Sequence, residues 1–397
     1  MKRFFLLTLA SAALLGASAA PVKTYEVKSP DGRLALVLTA GERLSFTVAR
    51  DGETLVAPSE MALTLSTGEV LGESPRVRSA RRRAVTETID APLYRQSRFD
   101  AAYNELDLRL RGDYGILARA YDDGVCYRFY TERDGELTIV DETAQLNFEG
   151  DPSAYIPYSK TEIPMRTSFE NTYEYAPLSK FRTQTVAFMP VLVDLGERGY
   201  VLYTESDVEA YPGVYLTYDK EARGVAARFA EYPTETSLTK RFQDVVERSA
   251  DYIARVDGRR SYPWRIVAYA ATVTELPVND MVWQTAEASR VADASWVRDG
   301  KIAWDWWNNW GVYGVDFKSG INTETYKYFI DFAAANGIEY VALDEGWGVR
   351  DGDVMHVVPE IDLPEIVSYA REKKVGIILW VVAKVLDDKL EEACRYY

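Results

Sequence analysis

Two different patterns of apolar positions divide this chain. Over roughly the first 275 residues, apolar and polar side chains alternate in short runs, which turn-forming clusters such as Asp122-Asp123-Gly124 separate. The clearest alternating runs are 33–39, 44–49, 105–110, 116–121 and 125–130. Alternation with a period of two residues predicts β-strands that bury one face. Many short strands at close spacing therefore predict a large β-sandwich.

The pattern changes near residue 300, where short apolar runs alternate with segments of helical spacing. The runs 302–306, 338–343 and 375–382 predict strands, and the first is expected to be buried on both faces. Asn322 and Asp362 are suitable N-caps for helices that follow them directly. The segments between these runs are long enough for a helical crossover, and strands joined by such a crossover pair in parallel. This region therefore predicts an α/β fold.

Polar and aromatic residues are interleaved where the first two of these strands end. The sequence WDWWNNW begins at Trp304, and DEGW begins at Asp344. Ligands bind at the carboxyl ends of parallel strands. Tryptophan rings stack on the C–H faces of sugars, while carboxylates and amides bond their hydroxyls. Tryptophans alone could cap a barrel core, but Asp and Asn do not belong in a dry core. The predicted substrate-binding residues are Trp304, Asp305, Trp307, Asn308, Asp344, Glu345 and Trp347.

The composition of the chain argues against several classes of function. The net charge of −15 argues against binding to nucleic acid. His356 is the only histidine in the sequence, which argues against a catalytic histidine and against any site with several histidine ligands. Carboxylates must therefore carry any acid–base step. Cys126 and Cys394 are expected to be free, buried thiols.

The first 20 residues have the pattern of a secretory signal peptide. The chain begins with basic residues, which are followed by an apolar stretch too short to span a bilayer. The small-residue cleavage site Ala17-Ser18-Ala19 comes next. No long apolar run follows, so no membrane span is predicted. We expect export across the inner membrane into a periplasm.

Two long motifs carry a family resemblance. The segments RGDYGILARAYDDGVCYRF (111–129) and WDWWNNWGVYGVDFKSGINTETYKYFIDFAAANGIEYVALDEGW (304–347) resemble glycoside hydrolase family 97. The match is closest to the branch of retaining α-galactosidases. This resemblance implies a multidomain β plus α/β protein, with an N-terminal β-super-sandwich followed by a (β/α)8 TIM barrel. The expected organisation is a signal peptide at 1–20, the sandwich domain at 21–275, a linker at 276–300 and the barrel from 301 to 397.

The barrel segment is too short to close. A (β/α)8 barrel takes about 200–250 residues, whereas 96 residues remain from Ile302 onwards. The sequence is therefore expected to be an N-terminal fragment whose barrel is truncated. In retaining members of the family the nucleophile is an Asp after the fourth strand, and the general acid/base Glu comes later. No catalytic residue is expected within this chain, and both are expected beyond Tyr397.

The resemblance also implies a calcium ion. In this family a Glu from the N-terminal domain reaches the catalytic site and binds calcium. The proline-rich segment 155–180 supplies the candidates, with Glu174 as the first choice and Glu170 as the second. Calcium takes several oxygen ligands, so further carboxylates must come from the barrel.

The function implied is that of an exo-acting, calcium-dependent, retaining α-glycosidase of the α-galactosidase type, acting on α-linked oligosaccharides. One alternative is an inverting α-glucosidase of the same family. The other is a non-catalytic sugar-binding protein, which applies if the truncation is natural.

Overall fold

The computed structural model describes residues 22–159, 169 and 171–397. The described residues form two compact units. The first contains 22–91, 96–159, 169, 171–232 and 251–288, and the second contains 92–95, 233–250 and 289–397.

The first unit is built almost entirely from β-strands. Its first fifteen strands are β1 (Lys23–Lys28), β2 (Leu34–Ala40), β3 (Leu44–Arg50), β4 (Glu53–Leu65), β5 (Val70–Leu71), β6 (Val77–Asp90), β7 (Arg98–Leu110), β8 (Tyr114–Tyr121), β9 (Gly124–Asn147), β10 (Ser153–Ile156), β11 (Glu174–Pro177), β12 (Val191–Asp194), β13 (Tyr200–Ser206), β14 (Tyr215–Asp219) and β15 (Gly224–Arg228). A hairpin of β16 (Pro233–Leu238) and β17 (Asp244–Ser249) follows in sequence but belongs to the second unit. The strands β18 (Ala254–Ser261) and β19 (Trp264–Ala270) and the short helix α1 (Met281–Thr285) complete the first unit.

Alternation of side chains explains why these segments are strands. In β2, the side chains of Leu34, Leu36 and Leu38 are fully buried, and the residues between them are only partly covered. The long strand β9 pairs antiparallel with β4, β8, β15, β18 and β19. The predicted β-rich first part of the chain is thus confirmed.

The second unit contains a three-stranded parallel sheet in the order β20 (Ile302–Trp304), β21 (Tyr340–Leu343) and β22 (Gly376–Leu379). Its helices are α2 (Thr323–Asn336), α3 (Leu363–Lys373), α4 (Ala383–Asp387) and α5 (Leu390–Tyr396). The two predicted caps are present: the side chain of Asn322 accepts a bond from the amide of Thr325, and that of Asp362 accepts one from the amide of Glu365. The α/β pattern predicted from residue 300 onwards is therefore found.

Two expectations from the sequence were wrong. The strand predicted for 302–306 covers only three residues, and Ile302 is 50% exposed rather than buried. The backbone turns into a 3-10 helix at Asp305–Asn308, and the amide of Asn309 donates to the carbonyls of Trp306 and Asp305 at its end. Both cysteines are free as expected, but only Cys126 is buried, since Cys394 lies on an exposed face of α5.

The predicted domain limits differ from the two units in where three segments lie, and the first is 92–95, which falls inside the predicted domain 21–275 but belongs to the second unit. The hairpin β16–β17 falls inside the predicted domain 21–275 but packs within the second unit. The predicted linker is divided at residue 288 between the two units. Among the described residues, no helix is both long and apolar enough to cross a membrane.

Candidate functional site at the carboxyl ends of the parallel strands

Asp344 occupies the carboxyl end of β21 and is held by two hydrogen bonds. The indole Nε1 of Trp304, at the end of β20, donates to its Oδ2 at 2.6 Å, and the amide of Glu345 donates to its Oδ1 at 2.5 Å. The residue is half-buried. A carboxylate has about four lone-pair sites, so two bonds leave acceptor capacity on both oxygens. Asp344 is therefore oriented by the protein and still able to accept bonds from a ligand.

Asp305 lies beneath this strand end and is fully buried. Its Oδ2 accepts bonds from the hydroxyl of Tyr326 at 2.5 Å, the Nε1 of Trp310 at 2.9 Å and the amide of Asp344 at 3.2 Å. Burial raises the pKa of the Asp305 carboxyl group, although these donors favour its charged form. The predicted contact of Asp305 with a sugar disagrees with this placement. Its carboxylate instead fixes the backbone that carries Asp344.

Glu345 is enclosed by two arginines. Its Oε2 accepts a close bond from Nη2 of Arg241, and its Oε1 lies 3.1 Å from Nη2 of Arg350. The Glu345 side chain is 18% exposed, whereas both arginines are more than half exposed. Arg241 comes from the tip of the β16–β17 hairpin. The sequence analysis missed both arginines.

The predicted aromatic residues divide into exposed and buried ones. Trp307 is 84% exposed, and its ring lies 6.2 Å from that of Trp304, which is 40% exposed. Asn308 is exposed and donates its Nδ2 to the carbonyl of Gly311 at 2.8 Å. Trp347 is only 2% exposed and donates its Nε1 to the carbonyl of Trp380. Trp347 thus packs in the core of this unit, in contrast to its predicted role as a wall of the sugar site.

A cleft of about 70 Å³ opens beside Glu345 at the same edge of the sheet. Its lining is mostly apolar and also contains the ion-paired groups around Glu345. Its main lining residues are Arg241, Phe242, Glu345, Arg350, Trp380 and Val382. The strand ends therefore combine a held carboxylate, exposed indole rings and an adjoining apolar cleft, which suits a sugar better than a highly charged ligand.

Comparison with known families decides the affiliation. The family model described as Glycosyl-hydrolase 97 N-terminal matches residues 27–287, and the model described as Glycoside hydrolase 97 matches residues 306–397. The chain belongs to glycoside hydrolase family 97.

Two curated relatives resemble most of the chain. A "Retaining alpha-galactosidase" of Bacteroides thetaiotaomicron is 41% identical over 384 residues, covering 94% of this chain and 58% of the relative. A "Probable retaining alpha-galactosidase" of Streptomyces bingchenggensis is 31% identical over 370 residues, covering 90% of this chain and 52% of the relative. The chain thus spans a little over half the length of these curated relatives.

Solved structures support the same fold. A family 97 enzyme from Pseudoalteromonas sp. strain K8, in complex with acarbose, matches with a TM-score of 0.78 at 18% identity, over 94% of this chain and 57% of that one. A β-arabinopyranosidase matches with a TM-score of 0.69 at 22% identity, over 90% of this chain and 55% of that one. At these identities the likeness concerns the fold alone.

The calcium ligands predicted from the family 97 resemblance are only partly described. Glu170 lies outside the described residues. Glu174 is exposed at the start of β11, and its carboxylate accepts a bond from Nη2 of Arg182 at 2.7 Å. Over residues 22–159 and 171–397, no three His, Cys, Asp or Glu side chains converge in a way that suits a metal ion. One carboxylate already paired with an arginine does not satisfy calcium, which takes six to eight oxygen ligands. The described residues alone therefore do not fit the ion.

Proposed function

We propose that the entire protein is an exo-acting, retaining α-glycosidase of the α-galactosidase type. The 41% identity to a retaining α-galactosidase over 94% of the chain supports this proposal. The observation that carries the proposal is the pairing of Trp304 with Asp344 at neighbouring strand ends, which sets an indole ring beside an oriented carboxylate.

The residues of this chain would bind and orient a terminal sugar. Asp344 accepts bonds from sugar hydroxyls through its free lone pairs, because its position is fixed by Trp304 and by the amide of Glu345. The exposed rings of Trp304 and Trp307 offer an apolar surface to the C–H face of the pyranose. Asn308 lies exposed in the same loop and supplies a further polar group.

The catalytic step would need groups other than these. A retaining glycosidase uses two carboxyl groups about 5–5.5 Å apart, one as the nucleophile and one as the acid/base. We assign neither role to a residue of this chain and place both beyond Tyr397. We also propose that β20, β21 and β22 are the first three strands of a (β/α)8 barrel, and that the first unit is a β-super-sandwich.

Calcium and export complete the proposal. Glu174 would be a calcium ligand only together with oxygen ligands from outside the described residues. The pattern of residues 1–20 supports export into a periplasm. Fractionation of cells that produce the tagged protein tests the export, and recovery from the cytoplasm would reject it.

Hydrolysis by the protein produced from its entire reading frame tests the activity. Aryl α-galactoside and aryl α-glucoside are supplied separately, and NMR follows the anomer that forms first. Release of α-galactose first is the expected result. Release of the β-anomer of glucose first would instead support the inverting α-glucosidase. Sugar binding without hydrolysis of either compound would support the non-catalytic alternative.

A further inference from the structure

We propose that the tip of the β16–β17 hairpin belongs to the sugar site, where Arg241 is a positioning residue for Glu345. This inference rests on the proposed function and deepens it. The hairpin would fix the carboxylate that borders the cleft, so that Glu345 can accept bonds from hydroxyls of the bound α-glycoside.

The two strands of the hairpin bury few of their own side chains. Every residue of β16 is exposed, and β17 is largely exposed. Yet hydrogen bonds around Thr239 close the turn at its tip. The amide of Thr239 donates to the carbonyl of Gln243 at 2.9 Å, and Thr239 Oγ1 accepts from the amide of Gln243 at 3.1 Å. A structured tip on exposed strands is typical of an element that reaches towards another surface.

The loop after β21 contacts this tip through Gly352, which lies against the ring of Phe242. A Cβ added to Gly352 would lie 2.9 Å from Cε1 of the Phe242 ring, so a side chain there would push Phe242 away. Gly352 also has a φ of +82°, a conformation that favours glycine. Phe242 therefore anchors the tip through an apolar contact next to the cleft.

Arg241 then meets Glu345 with both ends of its guanidinium fork. Its Nε lies 3.4 Å from Oε1 of Glu345, and its Nη2 bonds the other oxygen. Two-point contacts of this kind fix the direction of a carboxylate as well as its charge. Arg350 holds the same carboxylate from a second direction. The Glu345 side chain is thereby restrained, while the exposed faces of both arginines remain towards solvent.

The chain offers a matched control for this contact. Arg248 lies on the same hairpin and forms an ion pair with Glu235, but 77% of the Arg248 side chain and 51% of the Glu235 side chain are exposed. Exposed ion pairs contribute little to stability. Arg248→Ala therefore removes a hairpin ion pair without touching the strand-end site.

The test measures kinetics of the protein from its entire reading frame on aryl α-galactoside. Arg241→Ala should raise KM by at least about fivefold with kcat changed by less than about threefold, because a binding contact common to ground and transition states is weakened. Arg241→Lys should recover part of the KM, and Arg248→Ala should match the wild type. In a Glu345→Gln background, Arg241→Ala should add little, since the two residues act as a unit.

Two results would overturn the inference. One is a wild-type KM in Arg241→Ala, and the other is full additivity with Glu345→Gln. If the wild type hydrolyses no α-glycoside, the proposed function fails, but the inference is still tested by calorimetric binding of galactose and glucose. Arg241→Ala must then weaken binding relative to Arg248→Ala, and equal affinities would reject it.

Discussion

The bond between Tyr326 and Asp305 gives a sharp test of how the strand-end site is supported. Both side chains are fully buried, and the Tyr326 hydroxyl lies 2.5 Å from Oδ2 of Asp305. Tyr326→Phe removes one donor from a buried carboxylate and changes the shape of the core very little. Hydrogen bonds to charged groups contribute about 1.5–3 kcal/mol. We expect the free energy of local opening of α2 and β21 to fall by about that amount.

Hydrogen exchange followed by mass spectrometry measures this opening directly. A loss of about 1.4 kcal/mol corresponds to tenfold faster exchange, so peptides from α2 and β21 should exchange about ten- to a hundredfold faster. Tyr369→Phe is the matched control. The hydroxyl of Tyr369 also bonds a carboxylate, that of Asp331 at 2.8 Å, but Asp331 is exposed. Water can replace that bond, and the change should stay within about 0.5 kcal/mol.

Equal exchange in the two variants would refute the reasoning. It would mean that the bonds from Trp310 and from the amide of Asp344 satisfy Asp305 without Tyr326. The same variant gives a functional readout in the protein from the entire reading frame. If Asp305 positions Asp344, then Tyr326→Phe should lower kcat/KM for an α-galactoside, whereas Tyr369→Phe should not.

Three further predictions concern single carboxylates. Asp344→Ala should lower kcat/KM by at least about tenfold with an unchanged circular dichroism spectrum, since a charged contact to the sugar is lost; unchanged kinetics would contradict the assignment. Burial raises the pKa of Asp123 from 3.8 to about 6, so its contribution to stability is complete below pH 3.8 and is lost as the pH rises through about 6. Asp123→Asn should therefore reduce the fall in thermal midpoint across that window, and an unaltered pH profile would contradict it. Glu174→Gln should weaken calcium binding, measured by calorimetry after chelation, while the exposed Glu197→Gln should not; equal affinities would point to a different ligand.

Local signals were sufficient to predict much of the second unit. The helix α2 follows a capping Asn322 and α3 follows a capping Asp362, and both caps form bonds within three residues. The strands β21 and β22 lie inside their predicted runs but are shorter. Caps and periodicity act over one or two turns of chain, which is why sequence reasoning reaches them.

The candidate site was harder to predict because its decisive contacts are distant in sequence. Asp305 accepts a bond from the hydroxyl of Tyr326, which lies 21 residues later. Glu345 and Arg241 are 104 residues apart. The available signal was the composition of 233–249, which has no regular apolar face and so fits poorly in a sandwich core. Trp347 shows the same limit, since the carbonyl that its indole bonds belongs to Trp380, 33 residues later.

The pairing of β9 has a consequence for how the first unit folds. One edge of this strand pairs with β8, which directly precedes it in sequence. Its other edge pairs with β18 and β19, which come more than 100 residues later; Gly124, for example, pairs with Ala268. Contacts at such separation slow folding, since a long loop must close before they form. As the chain emerges amino end first, β9 presents an open hydrogen-bonding edge until the last strands arrive. During synthesis this unpaired edge of β9 is therefore open to wrong pairing with other strands, until segment 254–268 has been made and pairs with it.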